Sequence, residues 1–186
     1  MKILIVSGFL GAGKTTFIKR LARNVDQRFA ILENEYGAAG IDGARLGQNR
    51  QGTQKNVWEM TEQCICCIGK KDFAASVLTI ANVVDPEYLI VEPTGVGSLA
   101  RIIENLRQIE YERIQLLSPV TIVDVYSYRR YMAEYPELYQ DQIRSADTII
   151  VSKTEACQAE EKQRIQKFLQ EINSQAKIIT DYASTM

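Results

Sequence analysis

Short, wholly apolar runs alternate along the chain with segments in which apolar residues recur every three or four positions. The runs at residues 2–6, 28–32, 88–91, 120–123, 148–151 and Lys177–Ile179 predict β-strands. The segments between them predict amphipathic helices. Ile18, Leu21, Ala22 and Val25 form one apolar stripe, and Ala74, Val77, Leu78 and Ala81 a second. Leu99, Ile102, Ile103 and Leu106 form a third, and Ile165, Phe168, Leu169 and Ile172 a fourth. Strands that are apolar throughout must be buried on both faces. The pattern therefore predicts an α/β fold, a mostly parallel β-sheet flanked by helices on both faces. Ligands in such folds bind beyond the carboxyl ends of the strands.

One stretch breaks the pattern. Residues 36–57 are polar and glycine-rich with little periodicity, which predicts a functional loop rather than a plain connection. At 186 residues the chain is expected to form a single domain, 1–186. A net charge of −1 argues against a nucleic-acid binder, which needs a basic excess. No apolar run approaches the ~20 residues that cross a bilayer, so neither nucleic acid nor membrane is an expected partner. The amino-terminal apolar run is read as a buried strand, since Gly8, Gly11, Gly13 and Lys14 break it and no small-residue cleavage site follows. Three of the 4 cysteines fall in Cys64-Ile65-Cys66-Cys67, which fits a reducing, cytoplasmic setting and a local site rather than a disulfide scaffold. The chain has 0 histidines, so any base or metal ligand must be a carboxylate, thiolate, amide, hydroxyl or lysine.

Gly8-Phe9-Leu10-Gly11-Ala12-Gly13-Lys14-Thr15 follows a predicted strand and precedes a predicted helix, the context of a phosphate-binding loop. Its glycines let the backbone wrap an anion so that successive N–H groups converge on a phosphate. The helix amino terminus adds partial positive charge there. Gly8, Gly11, Ala12, Gly13, Lys14, Thr15 and Thr16 are the expected nucleotide contacts. Lys14 is expected to reach the β- and γ-phosphates, and the Thr15 hydroxyl to hold Mg²⁺. The strand Leu89-Ile90-Val91 ends in Glu92, with Gly95 three residues on. An acid at that strand end serves Mg²⁺ or the attacking water, and the Gly95 N–H can sense the γ-phosphate. Ser152, Lys153 and Glu155 stand where guanine-specific proteins carry Asn-Lys-x-Asp. This favours GTP and leaves ATP open.

Thiolates bind soft or borderline metals, so Cys64, Cys66 and Cys67 form a candidate site for Zn²⁺, Co²⁺ or Ni²⁺. In an extended segment Cys64 and Cys66 point one way and Cys67 the other. A further ligand must come from Glu33 or Glu35, from water or from a second chain. Buried packing and redox chemistry stay open as alternative uses of the thiols. Tyr126, Tyr128, Tyr131, Tyr135 and Tyr139 are read as the half-buried face of a helix pair broken at Pro136, with a partner surface as the alternative. Cys157 is read as packing.

Taken together, the phosphate loop with Thr16, Glu33-Asn34-Glu35-Tyr36-Gly37, Ile41-Asp42, Cys64-Ile65-Cys66-Cys67 and Glu92-Pro93-Thr94-Gly95 resemble, in content and order, the CobW-like family. These P-loop GTPases are related to the nickel-insertion GTPases of urease and hydrogenase, and the likeness runs over essentially the whole chain. It implies a GTP-hydrolysing metallochaperone or metal-insertion factor serving a client metalloprotein. It also implies a metal site at Cys64, Cys66 and Cys67 with Glu33, and a switch region that contains Asp42. Lys14, Glu92 and Asp42 are then the expected catalytic residues. No arginine finger is identifiable, so turnover is expected to be slow until a homodimer or client accelerates it. Ala38 stands where some members have a further acidic ligand, and Ser152 and Glu155 replace the guanine motif's Asn and Asp. The carboxy-terminal domain of longer members has no counterpart, which is expected of either a truncated chain or a minimal member. The alternative function is an accessory NTPase that remodels or reactivates a corrinoid or other metal-dependent enzyme without delivering metal. A phosphotransferase and a zinc-sequestering module are further rivals.

Overall fold

The computed structural model describes residues 1–24, 27–33, 57–61 and 70–181. Among these described residues, seven strands form one parallel sheet: β1 (Lys2–Gly8), β2 (Phe29–Glu33), β3 (Val57–Thr61), β4 (Tyr88–Glu92), β6 (Val120–Asp124), β7 (Thr148–Ser152) and β8 (Lys177–Ile179). Their order across the sheet is β3-β2-β4-β1-β6-β7-β8. A two-residue strand, β5 (Gln115–Leu116), pairs with the start of β1 through Lys2 and Ile3. Further along the same edge, Val6, Ser7 and Gly8 pair with β6. Pro119 lies between the two pairings and has no N–H to contribute to a ladder, which separates β5 from β6.

All six predicted strands are present, five of them longer at the carboxyl end by one or two residues. Two strands were not foreseen. β5 is too short to show a pattern, and β3 includes Val57, which the sequence reading had assigned to the end of a loop. The rest of that loop, residues 36–56, lies outside the described residues.

The helices are α1 (Lys14–Asn24), α2 (Lys70–Val83), α3 (Leu99–Arg107), α4 (Tyr128–Glu134), α5 (Pro136–Arg144) and α6 (Ala159–Ile172). Two clusters of buried apolar side chains divide the core by sheet face. Phe17, Ile18 and Ala22 of α1 pack with Ile31, Ile90, Ile122 and Ile150. Alternate strand residues Ile3, Ile5, Leu32, Leu89, Val91 and Ile149 pack with Phe73, Val77, Leu99, Leu106, Ile143, Ile165 and Leu169 from the other helices. Right-handed crossovers explain the uneven division. The connection from β1 to β2 travels one way across the sheet, whereas those from β3 to β4 and from β4 through to β8 travel the other way. Helices therefore cover both faces, α1 on one and α2, α3, α5 and α6 on the other. Among the described residues no helix is long and apolar enough to cross a membrane.

Candidate functional site

The carboxyl ends of β1, β2 and β4 open onto one cavity of about 550 Å³, whose walls include Gly13, Lys14, Thr15, Glu33, Glu92 and Gly95. β1 delivers the chain to its floor through Gly8, whose φ of +144° suits glycine and whose added Cβ would stand 2.5 Å from the Ile122 carbonyl oxygen. The loop then turns through Gly11 and Gly13, both at positive φ, and α1 begins at Lys14. The amino terminus of an eleven-residue helix thus faces the cavity, a ready-made anion site.

Lys14 is 8% exposed, and its ammonium donates to the carbonyl oxygens of Gly8 at 3.0 Å and Phe9 at 3.4 Å. Burial pushes its pKa below the usual lysine value, and the Glu92 carboxylate partly restores it. The Thr15 hydroxyl donates to Glu92, at 3.0 Å from Oε1 and 3.3 Å from Oε2. Glu33 lies directly beside Glu92 in the β2–β4 register, so two carboxylates stand at adjacent strand ends on the cavity. A hydroxyl against a carboxylate, next to a cationic phosphate cradle, is a set of hard oxygen donors that fits Mg²⁺.

On the other side of β1, β7 ends in the segment expected from the sequence to read the base. The Ser152 hydroxyl is buried and donates to the Ala12 carbonyl at 2.6 Å, so this residue is tied to the phosphate loop. Lys153 has φ +61°, rare for a lysine, and its ammonium lies 2.8 Å from Asp124 Oδ2. Burial alone would raise the Asp124 pKa. Hydrogen bonds from Lys153, the Tyr126 N–H and Ser127, with the lysine charge, outweigh it and hold the carboxyl below its ordinary value. Thr154 donates to the Thr180 carbonyl at 2.7 Å, fastening this loop to the end of β8, while Glu155 is exposed. Asp124 was not singled out from the sequence, although it ends β6 as Glu92 ends β4.

The tyrosine-rich segment is a helix pair with Pro136 at the start of the second helix, as expected. Tyr128 and Tyr139 are buried, and burial, with the nearby Asp124 charge, pushes the Tyr139 pKa upward. The segment also reaches the phosphate loop, which the sequence did not show. Phe9 sits among Tyr131, Tyr135 and Tyr139, with ring centroids 4.6, 5.7 and 5.2 Å away. The Tyr131 hydroxyl donates to the Leu10 carbonyl at 2.9 Å. Beyond it on α5, Asp141 caps α3 by accepting from Leu99 N–H at 2.8 Å, and Gln142 Nε2 donates to the carbonyls of Gly95 and Gly97. The half-buried face expected of the tyrosines holds for Tyr128, Tyr131 and Tyr139, whereas Tyr126 and Tyr135 are exposed, and no sequence signal marked Gln142 or Asp141.

Cys64, Cys66, Cys67 and Asp42 lie outside the described residues, as do Asn34, Glu35, Tyr36, Gly37, Ala38 and Ile41. Among the described residues there is no group of three or more His, Cys, Asp or Glu side chains that could hold a metal. Cys157 is half-buried and packs against the main core.

The family described as CobW/HypB/UreG, nucleotide-binding domain, matches residues 2–180. The zinc chaperone YeiR of Escherichia coli is 30% identical over 94% of this chain and 53% of its own length. The zinc chaperone CobW of Sinorhizobium sp. is 30% identical over 83% of this chain and 51% of its own. The chain thus spans about half the length of these curated relatives. Among solved structures, Zn(II)-bound YjiA GTPase from E. coli superposes with a TM-score of 0.71 at 22% identity, over 97% of this chain and 57% of that one. HypB from Helicobacter pylori in complex with nickel gives 0.63 at 18%, over 95% and 76%. Those two likenesses establish the fold, that of P-loop GTPases. With the family match running from Lys2 to Thr180, the chain belongs to the CobW/HypB/UreG nucleotide-binding family.

Proposed function

We propose that this chain is a GTP-binding and GTP-hydrolysing metallochaperone domain, in which a thiolate metal site is coupled to the nucleotide. The observation that carries the reading is the cavity at the ends of β1, β2 and β4. There a buried Lys14 ammonium rests on phosphate-loop carbonyls beside the Thr15–Glu92 pair. Lysine held at the floor of an anion cradle is positioned to exchange its carbonyl partners for phosphate oxygens. Charge on a transferring phosphoryl group is stabilised by such a preorganised cation.

Thr15 would hold Mg²⁺ with Glu92 close by, and the ion would supply further neutralisation of phosphate charge. Glu92, or Asp42, orients the attacking water. Glu33 stands beside Glu92 and is proposed as the ligand that links this cavity to a cargo metal held by Cys64, Cys66 and Cys67. The names of the relatives support zinc as cargo, and cobalt or nickel suits the same donor set. GTP is favoured over ATP by the position of Ser152, Lys153 and Glu155, with Glu155 accepting from the base.

Residues 1–186 are proposed to act as one nucleotide-binding domain in the cytoplasm. Turnover is slow until a homodimer or a client metalloprotein completes the site. The test is Zn²⁺ binding and client activation by the parent and by the Cys66→Ser, Cys67→Ser double variant. Metal delivery requires both to be lost while GTP still binds. Client activation that survives the double substitution supports the remodelling NTPase instead.

A further inference from the structure

The turn that follows β4 is gripped from behind by a side chain with no part in the reading above. Gln142 of α5 is 1% exposed. Its Nε2 donates to Gly95 O at 3.1 Å and to Gly97 O at 2.9 Å, so the amide nitrogen is directed at this one turn. Its Oε1 is buried and has no hydrogen-bond partner among the described residues. An apolar side chain of the same size would fill this space and remove the unsatisfied Oε1, but it would leave the Gly95 and Gly97 carbonyls without this donor. What the amide adds is its hold on the turn.

That hold has a directional consequence. Across a trans peptide the C=O and the next N–H point in opposite directions. Fixing Gly95 O toward α5 therefore fixes the Val96 N–H away from α5, and Val96 and Gly95 both line the cavity. The turn itself is closed by Gly97 N–H donating to Thr94 O at 2.9 Å. On its far side it rests on the phosphate loop, where a Cβ on Gly95 would stand 2.6 Å from Leu10 N. Gln142 is in turn anchored to the sheet, because its own carbonyl accepts from the Thr121 hydroxyl at 2.9 Å. Asp141 beside it fixes the start of α3. The turn is thus clamped between α5 and the phosphate loop.

We propose that Gln142 is a positioning residue for the nucleotide's third phosphate. It holds the Gly95–Val96 peptide so that the cavity distinguishes a nucleoside triphosphate from a diphosphate. The proposal rests on the nucleotide-binding reading above and adds to it the residue that sets discrimination between the two ligand states.

The experiment compares affinities for GDP and a non-hydrolysable GTP analogue in the parent and in Gln142→Met, which keeps size but removes both donors. The expected result is a triphosphate-to-diphosphate affinity ratio about tenfold below the parent's, with GDP affinity within about twofold, the loss expected for one or two neutral hydrogen bonds. A purely structural role would weaken both ligands alike. Gln142→Glu, whose ionised carboxylate has no donor and faces two carbonyl oxygens, is expected to lose at least as much of the ratio as Gln142→Met. Equal losses, or no change, in whichever variant folds overturn the proposal. Exchange of the Gln142 side-chain amide protons in the unaltered protein gives a reading that requires no substitution. Stronger protection with the analogue than with GDP is expected, and equal protection overturns the proposal. A parent that binds neither nucleotide overturns the nucleotide reading itself, whereas a parent that binds both with an unaltered ratio in the variants overturns only the role of Gln142.

Discussion

Ser152 offers a sharp test of how the base-side loop and the phosphate loop work together. From the sequence it is expected in the base-reading motif, yet its hydroxyl donates to Ala12 O at 2.6 Å, with Val123 O at 3.4 Å. The Ala12 carbonyl and the Gly13 N–H share one peptide plane and point opposite ways. A hydroxyl that holds the carbonyl therefore aims the N–H, and Gly13 lines the phosphate cavity. Ser152→Ala removes the hydroxyl and leaves the Cβ, which stands 3.9 Å from where a Gly13 Cβ would be. Packing is thus unchanged. Loss of a buried neutral hydrogen bond costs about 1–2 kcal/mol, because the acceptor stays in a dry environment. For a chain of this size that lowers the melting temperature by roughly 2–8 °C. Loosening the Ala12–Gly13 peptide should weaken GTP and ATP by a similar factor, about tenfold, and leave their ratio unchanged. Thermal unfolding and nucleotide titration measure both effects. A variant with unaltered stability but a changed GTP-to-ATP ratio would make Ser152 a reader of the base rather than a brace for the phosphate loop.

Three further outcomes follow from the same geometry. Gly95→Ala forces a Cβ against Leu10 N and Phe9 C, at 2.6 and 3.1 Å, so the turn must move. The triphosphate analogue should bind at least about tenfold more weakly by calorimetry, a loss on the scale of disrupted backbone contacts, with the circular dichroism unchanged. Glu92→Gln removes the carboxylate beside Lys14 and Thr15. Hydrolysis should fall about 100-fold, while nucleotide binding without divalent metal is retained or tightened, and unchanged turnover would remove Glu92 from the mechanism. Asp124 has a folded-state pKa below the ordinary aspartate value. Its contribution to stability is therefore full above that value and is lost as pH falls through the lower, folded one. The stability gap between the parent and Asp124→Asn should be constant from neutral pH to about 4 and should narrow below it, as read by denaturant unfolding at each pH.

The features legible in the sequence were local ones. The phosphate loop is contiguous, so its spacing alone placed Lys14 at a helix start and Thr15 beside it. Glu92 was legible because an apolar strand runs straight into it. β3 was obscured by the polar, glycine-rich stretch before it, and β5 by having two residues. The contacts that hold the site in place were not legible, because they join distant parts of the chain. Tyr131 meets Leu10 across 121 positions, and Gln142 meets Gly95 across 47. An isolated glutamine on an amphipathic helix carries no pattern that distinguishes a buried clamp from a solvated side chain. Only the sheet order, which sets α5 behind the β4 turn, turns Gln142 inward. Ser152 shows the same limit in a milder form: its strand end was placed correctly, but its partner depends on how closely β7 approaches the phosphate loop.

In the proposed function, metal and nucleotide report to each other through one domain. That coupling is measured by titrating a non-hydrolysable GTP analogue, with Mg²⁺ present, into the protein with and without one equivalent of Zn²⁺. Binding free energies are reciprocal, so a coupled pair of sites must show the same factor in the converse titration of Zn²⁺. The expected result is a change of about fivefold or more in both directions, abolished in the Cys66→Ser, Cys67→Ser variant. Nucleotide affinity that is indifferent to Zn²⁺ would contradict the coupled metallochaperone reading, even if both ligands bind.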